Sequence, residues 1–194
     1  MNNKDHIVSE VCGCAAICLA AVYLRFAYEL SGGSALGILF GSVNSSVWER
    51  VKSFSIAYTG WSVLQLLWLR APFRPYVAAK CAGLYLLMGG MTAFSLINAA
   101  LFGSHSLWAD ILSSFALTAA AQAMSLKLSK DWKKAEDFFA PALMLLMLYY
   151  VMFFSFTVFP PRLDLFRDPL TGGFGVRGAV TSGDKIIQQN SLLF

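Results

Sequence analysis

Five apolar stretches run along this chain, each ended by glycine, proline, a short polar turn or charge, and they leave few ways for it to fold. A bilayer core about 30 Å thick takes roughly 20 residues of helix at about 1.5 Å each, and every stretch meets or nearly meets that length. They cover about residues 7–30, 46–69, 76–102, 107–128 and 138–159. Gly32-Gly33 closes the first, Arg70 and the prolines of RAPFRP the second, and Pro160-Pro161 the last. Charged residues make up only 13% of the chain against 57% hydrophobic, where a soluble domain carries about 25% charge. The expected fold is all-α and polytopic: a bundle of about five transmembrane helices over 1–159, followed by an ordered, non-helical tail over 160–194. SALGILFG, residues 34–41, is too short to span and reads as interfacial or re-entrant.

The net charge of +4 is carried largely in short loops between apolar runs. It answers to membrane topology and anionic lipid, and no basic, aromatic-interleaved face for nucleic acid is present. An odd number of spans puts the termini on opposite faces. Lys4, Arg70, Arg74, Lys80, Lys127, Lys130, Lys133 and Lys134 fall with the N-terminus; Arg50, Lys52, Arg162, Arg167, Arg177 and Lys185 fall on the other face. The bias favours a cytoplasmic N-terminus and an extracytoplasmic tail. Asp5 and Glu10 interrupt any basic leader, so the first run is read as a retained span. Cys12, Cys14, Cys18 and Cys81 all lie in apolar segments and suit helix packing better than a disulfide framework. No metal or other cofactor is implied.

The same topology gathers residues 31–50, the short turn around His105 and the tail after Pro160 on one face. Arg25 and Glu29, four residues apart, share a helix face and can pair. Ser46 and Glu49 have capping-box spacing, with Asn44 or Ser45 as rival caps. Arg50 and Lys52 in the same first turn oppose the helix dipole, so they need a partner: lipid phosphate, a bound anion, or Asp164 and Asp168 of the tail. Trp48 reads as an interfacial anchor or a stacking surface. Asp110 opens the fourth span on the same side, where an ionisable group is a functional candidate. Gln65, Asn98 and Gln122 inside the spans read as interhelical glue. Gly173, Gly175 and Gly178 spell G-x-G-x-x-G, but no strand precedes them and turns explain them better than a dinucleotide.

LRFAYELSG (24–32), LFGSVNSSVWERVK (39–52) and FTVFPPRLDLFRDPLTGGFG (156–175) resemble a family of small, uncharacterised bacterial multi-pass membrane proteins. Its pattern runs L-H-F-x-Y-E-x-S-G, then V-N-E-S-x-W-E-H-x-K, then P-P-x-x-x-L-F-x-D-P-x-T-G-x-Y-G. The resemblance implies a bacterial inner-membrane location and no stated activity. Tyr28, Glu29, Asn44, Trp48, Glu49, Lys52, Asp168, Thr171 and Gly172 match; Arg25 and Arg50 stand where the pattern has histidine, and Ser45 where it has glutamate. Arginine is always protonated and donates only, so a metal or acid-base role at those positions gives way to anion binding.

The leading expectation is non-catalytic binding of an anionic small molecule or lipid headgroup, with membrane lipids as partners. The pocket would be built from Arg25, Glu29, Asn44, Trp48, Glu49, Arg50, Lys52, Asp110, Asp164, Arg167 and Asp168. The alternative is a membrane-embedded hydrolase using Glu29 or Glu49 as base, with Lys52 or an arginine stabilising an oxyanion. A small transporter is the third, and needs a polar track through the midplane.

Overall fold

The computed structural model describes residues 3–102, 107–129 and 132–176. The His105 turn, Gly178 and the end of the tail lie outside the described residues. The elements are α1 (Asn3–Leu30), α2 (Ala35–Phe40), α3 (Val47–Leu69), α4 (Phe73–Phe102), α5 (Leu107–Leu128), α6 (Trp132–Asp137) and α7 (Phe139–Val158), then a 3-10 turn at Asp164–Phe166. Pro75 falls in the first turn of α4, where its missing N–H would have no helical partner anyway. That lets α4 begin before Tyr76, and Lys80 consequently sits two turns inside the helix instead of near a loop.

Four helices, α1, α4, α5 and α7, are long and apolar enough to cross a membrane, and none buries more than 33% of its most apolar window inside the protein. The fifth long helix is different. α3, with 23 residues, has the length to span at about 34 Å, but twelve of those residues are buried, including Glu49, Lys52, Ser53, Ser55, Ser62 and Gln65. Its polar side chains turn inward, so α3 is a core helix with less face for lipid than its neighbours.

Side-chain contacts fix the alternation of the helices. Lys80 near the start of α4 reaches Glu10 near the start of α1 and Gln122 near the end of α5. At the opposite end Arg50 of α3 reaches Ser95 late in α4 and Asp110 early in α5. Between these ends a hydrophobic cluster forms around Ile17, Tyr58, Leu84, Leu87 and Phe153.

SALGILFG becomes α2, capped by the Ser34 hydroxyl accepting from Gly37 N at 3.1 Å. A Cβ on Gly41 would stand 2.8 Å from the Tyr28 nitrogen, so glycine there is what lets α2 lie against the end of α1. Residues 160–176 form an ordered loop. Asp168 organises it by accepting from Leu170 N at 3.1 Å and Thr171 Oγ1 at 2.8 Å, beside a lone bridge pairing Arg167 with Phe174. Phe166, 4% exposed, packs on Trp48 with ring centroids 4.9 Å apart, and Trp48 also meets Phe156 and Phe153 of α7.

Trp48 is therefore the anvil on which the tail is folded. Trp48→Ala should lower stability by about 3–5 kcal/mol and expose residues 160–176 to protease in detergent-solubilised protein. Unchanged cleavage there would show that the tail holds itself.

Candidate functional site

At the tail-side end, Ser46 caps α3 by accepting from Glu49 N at 3.3 Å. The reciprocal half of a capping box is replaced: Glu49 Oε2 accepts from Val43 N at 3.0 Å, and Ser46 N donates to Asn44 Oδ1 at 2.9 Å. Lys52 Nζ lies 2.8 Å from the same Glu49 oxygen and donates to Ile38 O of α2 at 3.0 Å. Ser42 and Ser53 close the set, their hydroxyls hydrogen-bonded to each other at 2.7 Å, with the one that accepts in that bond free to donate to Glu49 O. The charged WERVK stretch thus clamps the chain between α2 and α3, and Lys52 satisfies a carbonyl that the end of α2 leaves without a helical partner.

Several sequence expectations change here. Arg25 does not pair with Glu29, which is exposed in the last turn of α1. The 42–46 loop runs past Arg25 instead, and its guanidinium donates to Asn44 O and Ser45 Oγ, both at 2.6 Å. Lys52 is neutralised by Glu49 and Arg50 by Asp110 at 2.6 Å, so Asp164 and Asp168 are not their partners. Asp168 is spent on the tail's own turn, and Asp164 and Arg167 are exposed. Trp48 is buried under the tail and is not an anchor at the headgroups. Glu49 is 3% exposed and held by lysine, which removes the open, unneutralised base a hydrolase would need there. The predicted residues therefore form two separate groups: the Glu49 clamp with Arg25 and Asn44, and an Arg50–Asp110 pair that ties α3 to α5.

The second polar centre, at the N-terminal end of the bundle, joins Gln65 and Gln122, read in the sequence as interhelical glue, to Glu10 and Lys80, which the sequence did not mark as a site. Lys80 Nζ donates to both carboxylate oxygens of Glu10, at 3.0 and 2.9 Å, and to Gln122 Oε1 at 3.0 Å, so its three protons are all placed. The ammonium also lies 5.5 Å from the Tyr58 ring and 5.7 Å from the Tyr76 ring. Tyr76 extends the network through its hydroxyl to Ser62 O at 2.7 Å and Gln65 Oε1 at 3.0 Å. His6 Nε2 stands 3.9 Å from Glu10 Oε1, too far for a hydrogen bond. Gly13 makes the site possible: a Cβ there would collide with Gln122 Nε2 and Trp61 Nε1.

A line of buried polar groups joins the two ends. Asp110, Ser114, Thr118, Gln122 and Ser125 are each 4% exposed or less and follow one another at helical spacing down one face of α5. Ser114 and Thr118 donate to the carbonyls one turn back, at 2.7 and 2.8 Å, leaving their lone pairs toward the interior. Thr118 lies beside Cys18 of α1 and Ser125 beside Tyr58 of α3, whose buried hydroxyl makes no hydrogen bond. The first and last of these five are about 22 Å apart along the axis, most of a bilayer core. Two polar atoms at the Arg50 end, Asp110 Oδ1 and Asn98 Nδ2, are buried with no protein partner. Among the described residues no cluster of three or more His, Cys, Asp or Glu is arranged to hold a metal.

The model of a family of unknown function, DUF6512, matches residues 2–176, and the chain belongs to that family. No curated protein and no solved structure matches.

The ion pairs carry a definite energetic signature. Breaking the Glu49–Lys52 pair on one side, by Glu49→Gln or Lys52→Met, strands the other charge in the core and should cost about 3–5 kcal/mol, while the double substitution recovers most of it. Thermal unfolding of the two singles and the double in one detergent measures this. Singles costing under about 1 kcal/mol would mean the pair is solvated as at a surface.

Proposed function

We propose that this family member is an integral membrane protein that carries protons across the bilayer through its interior, with Glu10–Lys80 and Arg50–Asp110 as the terminal groups of the path. The observation that supports it is the unbroken polar face of α5 between those pairs, on a helix otherwise apolar enough to cross a membrane. Ionisable groups held inside such a bundle are expensive and mark ion or proton routes more often than packing needs them. The Ser114 and Thr118 hydroxyls give their own protons to backbone carbonyls and turn lone pairs inward, so these side chains line and hold the path while water carries the proton. Successive turns are about 5.4 Å apart, longer than a hydrogen bond, so one water per turn completes the relay. Asp110 Oδ1 and Asn98 Nδ2, a spare acceptor and a spare donor, are suited to the first such water.

At the other end, transfer of one proton from Lys80 to Glu10 converts the ion pair to a neutral amine and acid. That exchange gives the path a group able to pass charge on without leaving an unpaired ion behind. We place the Lys80 end at the cytoplasmic side of a bacterial cell membrane, because Arg70, Arg74, Lys127, Lys133 and Lys134 gather there.

Binding of an anionic lipid headgroup or small molecule at the loop face is the second reading. Arg25 is half-buried and Arg50 keeps 22% of its side-chain surface open, so both can still donate to a phosphate.

Vesicles containing the purified protein, an entrapped pH dye and valinomycin to balance charge distinguish the readings. Under an imposed pH gradient the wild type should acidify its lumen faster than empty vesicles, and Glu10→Gln should lower the rate about tenfold or more. Thr118→Val, close in volume but without a hydroxyl, should lower it with the fold intact. Wild-type flux equal to that of empty vesicles would overturn proton carriage, and if Arg25→Gln then also loses retained anionic lipid, the second reading stands.

A further inference from the structure

An apolar groove of about 260 Å³ opens on the lipid-facing side of α4 and α7, near the N-terminal end of the bundle. Ala78 and Ala82 of α4, Ala135 of α6, and Pro141, Ala142 and Leu145 of α7 form most of its wall. Its few polar atoms are spoken for: the Tyr85 hydroxyl donates to Leu145 O at 2.8 Å and the Cys81 thiol to Ala142 O at 3.4 Å. A polar solute would find no partner there. These same two contacts tie α4 directly to α7 and make the floor of the groove. A second helix, about 10 Å across, is too wide to enter a cleft between two helices that already touch. A flexible hydrocarbon chain is not.

No charged residue lines the groove itself; charge gathers on the rim of helix ends next to it. Lys127 precedes the groove residue Leu128 at the end of α5, and Lys133 lies on α6 two residues before the buried Ala135; both lysines are exposed. The opposing acids on this rim are Glu136, 3.7 Å from Arg74, and the exposed Asp137. Counting Lys127, Lys133, Lys134 and Arg74 against Glu136 and Asp137, the described part of the rim keeps an excess of two positive charges, four less two. Phospholipid phosphate sits at this depth, where basic side chains between helix ends favour anionic headgroups.

We propose that the groove seats one acyl chain of an anionic phospholipid, its phosphate near Lys127 and drawn by the net positive charge of the α5 and α6 ends, Lys133 included. The occupant differs from the ligand of the loop-face reading, since this site lies at the other end of the bundle, and its occupancy is tested without any measurement of proton flux.

The test uses wild-type protein in vesicles of equal phosphatidylglycerol and phosphatidylcholine, doped in turn with a diazirine-chain analogue of each lipid. After illumination, labelled peptides are mapped by mass spectrometry. Phosphatidylglycerol label should concentrate on the α7 peptide containing Pro141 and Leu145 and on the α4 peptide containing Tyr85, with phosphatidylcholine labelling them about fivefold less or below. Lys127→Gln with Lys133→Gln, both on the surface and tolerable to the fold, should bring the phosphatidylglycerol signal down to the phosphatidylcholine level. Ala82→Leu should displace both. Equal labelling by the two lipids, label spread evenly over the exposed faces of α1, α5 and α7, or protein–protein crosslinks at the groove in place of lipid would each overturn the proposal.

Discussion

A charge inside a bilayer-spanning bundle must find its counter-charge within the protein, and that requirement organises most of this structure. An unpaired lysine or aspartate at membrane depth costs about 2.5–3.5 kcal/mol on insertion scales. Each pairing here doubles as a register mark. Glu10 with Lys80 sets the depth of α1 against α4, Arg50 with Asp110 sets α3 against α5, and Glu49 with Lys52 holds the α2–α3 loop to the helix it precedes. Apolar helices slide past one another at little cost, because leucine against leucine and leucine against lipid are nearly equivalent. A buried pair with three placed protons does not slide.

Stability alone is a poor reason for such pairs, since well-packed apolar residues of similar volume often do as well or better. Their arrangement says more than their existence. One lies toward each end of the bundle, and the helix that touches both, α5, presents polar groups to the interior all the way between them. Helix glue alone would be satisfied by isolated contacts. A row of buried polar groups from one pair to the other is what motivates the proposed proton path.

The sequence announced the long apolar helices, though it counted α3 as a fifth span where four helices among the described residues qualify. It also announced the order of residues 160–176 and the Ser46 cap, because apolar run length, Pro-Gly content and cap chemistry are local signals. It could not announce partners. Glu10 and Lys80 are 70 positions apart and meet only once the depths of two helices are known. Lys80 looked like a loop charge because α4 starts ahead of the Tyr76 that seemed to open it. Arg25 and Glu29 looked like a pair because spacing on one helix is visible, whereas the carbonyl of Asn44 that takes the guanidinium is not. The α5 face was present in the letters as Asp110, Ser114, Thr118 and Gln122. Serine and threonine carry so little weight in a hydropathy reading that only its two ends stood out.

On the proposed proton-carrying reading, the contacts around Lys80 are the ones that would have to change. Lys80 has no free proton to offer while Gln122 accepts the third one, and Gln122 is kept in place because Gly13 leaves room for it beside Trp61. Movement of α4 by a fraction of a turn would release that contact first, since it is the only one of the three Lys80 bonds that leaves the Glu10 carboxylate. α4 carries Lys80 on its inner face and Ala78 and Ala82, two residues either way, along the lipid-facing groove. Whatever fills the groove presses on the opposite side of the helix that holds the charge, so lipid occupancy and the state of the Glu10–Lys80 pair share one mechanical element.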